Sequence, residues 1–240
     1  MTVFTFASFC NLLLFIYHNI YREYFVGLFS IFCHFIYGYN KHRYNTLLNS
    51  FYRVSFTGDT FDTSIKPTTK SVLVNHNTWA DYFVDNIILN NNGCYLSRYL
   101  VFLAMPFSAL NSLLTRQVYF FNRSATNRNK TNSNKRNEFV HTICNKWNKI
   151  MIVYPEGTRN ITGKPFPLKY GIIKELYLQQ CPLQIMNVSN KTNIFNEKTL
   201  ATTIGITCNV IISNQFDPKI YDSLDTFITD ITTEFIRIYQ

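Results

Sequence analysis

The sequence predicts an α/β fold in which a mostly parallel, mixed sheet is flanked by helices. Three observations support this prediction. After residue 70, short apolar or β-branched runs alternate with helix-length segments, the pattern of chains that form parallel sheets. Polar residues follow directly after several strand-like runs, and in such sheets chemistry collects beyond the carboxyl ends of strands. The length of 240 residues suits one hydrophobic core with a short appendage, and no internal repeat is visible.

The predicted elements follow one another along the chain. Strands are expected at Ser71–Asn75, Gln117–Phe121, Ile150–Tyr154 and Leu183–Val188, with one or two more within Thr203–Ser213. Helices are expected at Thr78–Leu89, Phe139–Trp147, Gly171–Gln179 and Asp222–Tyr239. Pro106 interrupts the apolar segment Tyr99–Leu114, which predicts a kinked helix or two short pieces. We assign these elements to an α/β domain over residues 46–240.

Residues 1–45 are predicted to form a separate, membrane-associated helical unit. Two apolar runs, Val3–Tyr17 and Phe25–Tyr39, flank a polar patch, and each run has about 15 residues. This is fewer than the roughly 20 residues that cross a bilayer. We expect a helical hairpin that dips into one leaflet; a single tilted span and a pair of buried soluble-core helices are the alternatives. No basic residue precedes the first run, so a secretory signal peptide is not expected.

The composition favours a protein that lies partly at a membrane interface. Charged residues make up 15% of the chain and aromatic residues 17%, a combination suited to the bilayer surface. The net charge of +9 indicates an anionic partner, for which phospholipid and nucleic acid both qualify. The basic segment Asn122–Asn137 lacks interleaved aromatic residues, so nucleic acid is not expected. The six cysteines show no metal-binding spacing, which predicts buried thiols, a reducing compartment and no metal site.

The first candidate for chemistry is the segment NHNTWAD, which follows the predicted strand Ser71–Asn75. Five residues carry the chain from His76 to Asp81, so the carboxylate can fold back to the imidazole. A histidine can remove a hydroxyl proton near neutral pH, and a carboxylate on its other ring nitrogen would fix the tautomer. Taken alone, the spacing also fits a histidine near a helix start with Asp81 on the surface.

The second candidate is YPEGTR, which follows the predicted strand at Ile150–Tyr154. Pro155 ends the strand, and Gly157 permits a tight turn with positive φ. Arg159 offers a planar fork for phosphate, Thr158 can complete an anion site, and Glu156 could orient the arginine or a bound glycerol. An ordinary turn with a surface arginine is the alternative.

A third strand end delivers another arginine. In the segment YFFNR, Arg123 follows the predicted strand Gln117–Phe121. Two arginines at strand ends of one sheet would form a phosphate site beside a general base. Arg123 also fits an exposed residue that opens the basic segment.

Together these residues resemble the glycerophospholipid acyltransferase family, which includes the lysophosphatidate acyltransferases. NHNTWAD is similar to the family's NHxxxxD block and YPEGTR to its FPEGTR block. YFFNR is similar to the GxxFxxR block, although Gln117 stands at the glycine position. CPLQIMNV, at Cys181–Val188, is similar to the last block but lacks a second proline.

The resemblance implies an acyltransferase in which His76 and Asp81 are catalytic and Arg123, Glu156, Gly157, Thr158 and Arg159 bind the substrate. It implies acyl transfer from acyl-CoA or acyl carrier protein to a lysophospholipid, most simply lysophosphatidate, with no cofactor beyond the acyl-CoA co-substrate. Glycerol-3-phosphate and lysocardiolipin are alternative acceptors, and a non-catalytic lipid-binding module is an alternative function.

We also expect the protein to associate with membrane phospholipids, at the endoplasmic reticulum in a eukaryotic host. The sequons that begin at Asn160 and Asn187 fall inside the predicted site, where a glycan would obstruct it. This favours a catalytic domain that faces the cytosol.

Overall fold

The computed structural model describes residues 9–10, 13, 16–17, 21–37, 43–99, 101–102, 105–121, 131–196, 198–199 and 201–239. Within these residues, a seven-stranded sheet forms the centre, in the order β1-β9-β6-β2-β5-β3-β4. Its strands are β1 (Ser55–Gly58), β2 (Ser71–Val74), β3 (Gly93–Arg98), β4 (Val118–Phe121), β5 (Ile150–Val153), β6 (Leu183–Val188) and β9 (Thr207–Ile212). The strands β7 (Phe195–Asn196) and β8 (Ala201–Thr202) form a separate antiparallel pair.

The main sheet is mixed but mostly parallel, as predicted. Strand β2 pairs in parallel with both β5 and β6, and β3 pairs in parallel with β5 and β4. The reversal lies between β6 and β9, which are antiparallel, and β1 follows β9 in parallel. The carboxyl ends of β2, β3, β4, β5 and β6 therefore share one edge of the sheet.

The central strands β2, β5 and β6 are buried on both faces, which explains why their sequences are mostly apolar. Val72 and Val74 face one hydrophobic cluster, whereas Leu73 faces another. These clusters are formed with helices from both sides of the sheet. The helices are α1 (Leu28–Tyr37), α2 (Arg43–Tyr52), α3 (Phe61–Ser64), α4 (Asp81–Ile88), α5 (Pro106–Leu114), α6 (Thr131–His141), α7 (Gly171–Leu178), α8 (Lys191–Ile194) and α9 (Leu224–Tyr239). π-helical turns precede α1 (Tyr21–Gly27) and follow α6 (Thr142–Lys146), and a 3-10 turn spans Pro218–Ile220.

Several boundaries differ from the sequence prediction for identifiable reasons. Helix α4 begins at Asp81 and not at Thr78, because backbone N–H groups of the preceding turn donate to the Asp81 carboxylate. Pro106 begins helix α5, where its missing N–H costs no helical hydrogen bond. Strands β1, β3, β7 and β8 and helices α2, α3 and α8 were not predicted. Strand β3 includes Gly93 and Ser97, which weaken its apolar pattern.

The N-terminal hairpin is not confirmed. Most of the first apolar run lies outside the described residues, and no described helix is long and apolar enough to span a membrane. The second run contains helix α1, whose inner side buries Ile31 and which follows the buried Val26. Tyr24 packs edge-on against Phe107 of α5, with ring centroids 5.3 Å apart. The predicted domain boundary at residues 45 and 46 falls within α2 and stays a prediction.

Candidate active site

The candidate site forms where the carboxyl ends of three neighbouring strands lie side by side. β2 is the middle strand, with β5 on one side and β6 on the other. The loop after β2 (residues 75–80, the β2 loop) carries His76, and the loop after β5 (residues 154–170, the β5 loop) carries the sequence YPEGTR. Strand pairing thus brings together two segments that lie about 80 residues apart in the chain.

His76 and Asp81 form a hydrogen-bonded pair, in agreement with the predicted spacing. Nδ1 of His76 lies 2.8 Å from Oδ2 of Asp81. The same carboxylate oxygen accepts hydrogen bonds from the backbone N–H of Asn77 at 2.6 Å and of Thr78 at 3.2 Å. Asp81 is 1% exposed, whereas 24% of the His76 side chain is accessible. The carboxylate is therefore fixed and dry, and the imidazole reaches the surface of the site.

The environment keeps Asp81 ionised. Burial alone would raise the pKa of this carboxyl, but the Lys191 ammonium and the hydrogen bonds from His76 and Asn77 outweigh it, so the pKa is lowered. An ionised Asp81 accepts a proton donated by Nδ1 of His76. This hydrogen bond fixes the imidazole tautomer and leaves Nε2 as the nitrogen available to a ligand.

The ring of Tyr154 supports the imidazole from one face. Its centroid lies 4.1 Å from that of His76, with an interplanar angle of 15°. The Tyr154 hydroxyl donates to Oδ2 of Asp85 at 2.9 Å. Burial raises the pKa of Tyr154 well above its ordinary value, so the phenol stays a donor. A stacked ring that is itself anchored restricts rotation of His76.

Glu156 organises the β5 loop from within. This side chain is 2% exposed. Its Oε1 accepts hydrogen bonds from Nδ2 of Asn160 at 2.6 Å and from the backbone N–H of Phe166 at 2.8 Å. Through these bonds Glu156 ties the YPEGTR turn to the later part of the β5 loop, a role that the sequence analysis did not foresee.

Gly157 adopts the positive φ predicted for it, at 69°. A Cβ atom at this position would lie 2.6 Å from Cδ of Lys169. Thr158 and Arg159 follow on the exposed side of the loop. The guanidinium of Arg159 lies 5.0 Å from the ring centroid of Trp79, which comes from the β2 loop.

A cavity of about 310 Å³ opens beside His76. Its lining includes Arg159 and Trp79 at one end and extends between β3, β4 and α5. Most of the side chains that line it are apolar, among them Leu48, Phe83, Val101, Met105, Ala109 and Phe120. A candidate base, His76, and a cation, Arg159, thus line the same apolar cavity.

The third predicted phosphate ligand, Arg123, lies outside the described residues. Its strand, β4, is separated from β2 by β5 and β3. The sequence analysis missed two buried charges beside the pair, Asp85 and Lys191. Lys191 follows β6, but the sequence alone does not show that β6 lies beside β2. Among the described residues, no three His, Cys, Asp or Glu side chains lie close enough together to hold a metal ion.

Comparisons with known proteins agree with this architecture. The family described as Acyltransferase matches residues 62–189, from α3 to just beyond β6. The crystal structure of PlsC, the 1-acyl-sn-glycerophosphate acyltransferase of Thermotoga maritima, superimposes with a TM-score of 0.70 at 16% identity, over 97% of this chain and 96% of that one. No protein of curated function matches the chain significantly. Because the family match covers more than half of the sequence and includes both loops of the site, the chain belongs to the acyltransferase family.

Proposed function

We propose that this protein transfers a fatty acyl chain from acyl-CoA, or from acyl carrier protein, to the free hydroxyl of a lysophospholipid. The observation that carries the proposal is the 2.8 Å contact between His76 and Asp81 at the mouth of an apolar cavity. The acceptor that fits best is lysophosphatidate, and the product is then phosphatidate. The similar structure, that of PlsC from Thermotoga maritima, is of an enzyme named for this acceptor, 1-acyl-sn-glycerophosphate.

His76 acts as the general base in this proposal. Nε2 removes the proton from the acceptor hydroxyl, whose oxygen attacks the thioester carbonyl carbon. The tetrahedral intermediate then collapses, the carbon–sulfur bond breaks, and the imidazolium returns the proton to the leaving thiolate. Asp81 stabilises the imidazolium in between, because its charge is buried and adjacent to Nδ1. The substrate supplies the nucleophile, so no acyl-enzyme is formed.

The cavity is suited to the acyl chain. A thioester held beside His76 can extend its hydrocarbon between β3, β4 and α5, where Val101, Met105 and Phe120 offer apolar contacts. Burial of each methylene contributes about 0.8 kcal/mol. A chain of fatty-acid length therefore gains enough from this burial to hold its carbonyl near the base. A short polar acyl group does not.

The acceptor phosphate is assigned to the β5 loop. Arg159 borders the cavity and lies over Trp79, so its guanidinium is positioned within reach of a ligand bound next to His76. Thr158 and the backbone at Gly157 flank it on the exposed side of the loop. Arg123 is proposed as the second phosphate ligand on the strength of the YFFNR segment. Glu156 contributes by holding the turn in shape.

Membrane association is proposed through the N-terminal helix. Ile31 and Val26 pack inward, whereas Phe25, Phe29, Phe32 and Phe35 are each more than half exposed. Aromatic side chains in such a row insert readily into the headgroup region of a bilayer. A cytosolic orientation is supported by Asn160, which is fully buried and hydrogen-bonded to Glu156, so the folded loop cannot carry a glycan there.

The test is acyl transfer from labelled acyl-CoA, and separately from acyl carrier protein, to a panel of lysolipids and glycerol-3-phosphate. Wild type is compared with His76→Ala and with His141→Ala, an exposed histidine on α6. We expect transfer to lysophosphatidate that is lost in His76→Ala and kept in His141→Ala. Transfer to another acceptor keeps the mechanism and changes the substrate. Folded wild-type protein without His76-dependent transfer to any acceptor refutes the proposal and favours a lipid-binding module.

A further inference from the structure

A second buried charge cluster lies directly behind the base. Lys191, at the start of α8, is 1% exposed. Its Nζ donates to Oδ1 of Asp85 at 3.0 Å and to the carbonyl of Asn75 at 2.7 Å. It also lies 3.5 Å from Oδ1 of Asp81. A fully buried lysine is costly unless its charge is balanced, and here two carboxylates balance it.

The contact with Asp81 complements the hydrogen bond to His76. The three donors on this carboxylate all reach Oδ2, while Oδ1 is buried and has no hydrogen-bond partner within the described part of the chain. The Lys191 ammonium is the positive charge that faces this second oxygen. Without it, Oδ1 would be an uncompensated buried charge, and the carboxylate would gain by turning or by taking up a proton.

We propose that Lys191 is a positioning residue for the acyl-transfer reaction: it holds Oδ1 of Asp81, so that Oδ2 stays ionised and directed at His76. Asp85 anchors Lys191 from the other side. This inference rests on the proposed function, because Lys191 acts only through the base. Lys191 touches neither the cavity nor a reacting atom.

Two further contacts make the lysine suited to this role. Asn75, whose carbonyl accepts the hydrogen bond from Nζ of Lys191, immediately precedes His76. The Asn75 side chain is itself tied to the backbone of Val188 by two hydrogen bonds of 2.9 Å. Asp85 accepts a hydrogen bond from the hydroxyl of Tyr154, whose ring stacks on the His76 imidazole. Lys191 therefore links the strand end, the carboxylate and the stacked ring that together orient His76.

The charge of the cluster also complements the imidazolium that forms during the proposed reaction. Above about pH 7, where Asp85 is ionised as well as Asp81, these two carboxylates and Lys191 carry one net negative charge. Protonation of His76 during catalysis brings the buried cluster to neutrality, so the imidazolium forms without leaving excess charge in a dry site. Lys191 prevents the two carboxylates from repelling each other in the resting enzyme.

A merely structural ion pair would account for the burial but not for the contact with Asp81, and two variants separate the two roles. Lys191→Met removes the ammonium and leaves Asp85 unbalanced. The double variant Lys191→Met/Asp85→Asn removes both charges and keeps an amide oxygen for Tyr154. Lys174→Met, an exposed lysine on α7, is the control. We expect the double variant to regain most of the thermal stability that Lys191→Met loses.

The expected activity does not follow stability. In the double variant we expect kcat to stay about 10- to 100-fold below wild type, the range for loss of one interaction with a charged group. KM for acyl-CoA and for lysophosphatidate stays within about twofold, because neither substrate touches Lys191. Wild-type kcat in the stable double variant overturns the proposal. If Lys191→Met fails to fold, the double variant alone carries the test.

A spectroscopic readout separates this inference from the proposed function. In protein labelled with nitrogen-15 histidine, the proton on Nδ1 of His76 resonates far downfield when it is hydrogen-bonded to an ionised carboxylate. We expect this signal in wild type and in Lys174→Met, and its loss or upfield shift in the double variant. An unchanged signal in the double variant overturns the positioning role. Because no substrate is needed, this outcome is independent of whether the protein acylates lysophosphatidate.

Discussion

Replacement of Asp81 by asparagine is the perturbation whose outcome the structure specifies most closely. The change keeps the shape of the side chain but leaves one oxygen and one NH₂ group. In the wild type, Oδ2 accepts from Nδ1 of His76 at 2.8 Å and from the N–H groups of Asn77 and Thr78 at 2.6 and 3.2 Å. Oδ1 faces Lys191 at 3.5 Å. In the variant, the amide oxygen can occupy either the Oδ2 or the Oδ1 position, and the NH₂ group occupies the other.

One orientation costs far less than the other. With its oxygen at the Oδ2 position, the amide keeps all three donors, at the cost of turning its NH₂ towards the Lys191 ammonium, which cannot accept a hydrogen bond. The reverse orientation leaves the N–H groups of Asn77 and Thr78 without an acceptor, at about 1–3 kcal/mol each. It would also donate to Nδ1 of His76 and place the proton on Nε2, which disables the base. The structure therefore predicts the first orientation, with the correct tautomer kept.

The loss in rate then reflects only the missing charge beside the imidazolium. A hydrogen bond to a charged group contributes about 1.5–3 kcal/mol, against about 1 kcal/mol for a neutral one. The difference is about 0.5–2 kcal/mol, so we expect kcat to fall by about 2- to 30-fold, with KM for both substrates nearly unchanged.

The assay is steady-state transfer from acyl-CoA to lysophosphatidate by wild type, Asp81→Asn and Asp222→Asn, an exposed control. A loss of about 10⁴-fold would refute the orientation argument, because it indicates the wrong tautomer. A kcat equal to that of wild type would refute the role of Asp81 itself. A fall in the control would indicate that the assay responds to surface charge.

Three further predictions concern Asp85, Gly157 and Arg159. Burial raises the pKa of Asp85 from about 4 to about 7, so folding takes up a proton between these pH values. The free energy of unfolding should therefore fall as the pH rises from 4 to 7. Urea unfolding at pH 5 and pH 8 should show a smaller fall in this free energy for Asp85→Asn than for wild type. Gly157→Ala should lower the free energy of unfolding by about 1–2 kcal/mol because of its positive φ, and further because the new Cβ clashes with Lys169. Gly163 has a φ of 77° and no neighbour within 4 Å of a Cβ, so Gly163→Ala measures the backbone cost alone in the same urea assay. Arg159→Met should raise KM for lysophosphatidate by about 10-fold or more and leave KM for acyl-CoA unchanged; equal rises in both would contradict a headgroup role.

Strands β5 and β6 and the contact between His76 and Asp81 could be predicted because local signals determine them. Leu183–Val188 is strand in both the prediction and the structure, and Ile150–Val153 differs from its prediction only at its last residue. Both are short apolar runs buried on two faces, which periodicity detects well. The spacing of five residues between His76 and Asp81 is also local, because a strand end and one turn bring the two side chains together.

Features that depend on distant contacts could not be predicted. Strand β1 is mostly exposed at the edge of the sheet and has no buried apolar pattern, so only its pairing with β9 identifies it as a strand. Lys191 reads as a surface lysine until β6 is placed beside β2, which brings it to Asp85 across 106 residues of sequence. The role of Glu156 depends on its hydrogen bond with Phe166, ten residues further along the loop. In each case the partner is defined by the fold.

We expect His76, the proposed base, and Arg159 to move together, because two hydrogen bonds join the loops that carry them. The N–H of Asn160 donates to the carbonyl of His76 at 2.5 Å, and Nδ2 of Asn77 returns a hydrogen bond to the carbonyl of Asn160 at 2.9 Å. Asn160 immediately follows Arg159, so these two hydrogen bonds constrain the distance from His76 to the Arg159 guanidinium. A shift of the β5 loop must therefore move His76 as well. Changes that distort the turn, such as Gly157→Ala, should lower kcat and raise KM for the acceptor together, while removal of the Arg159 side chain alone should change only KM.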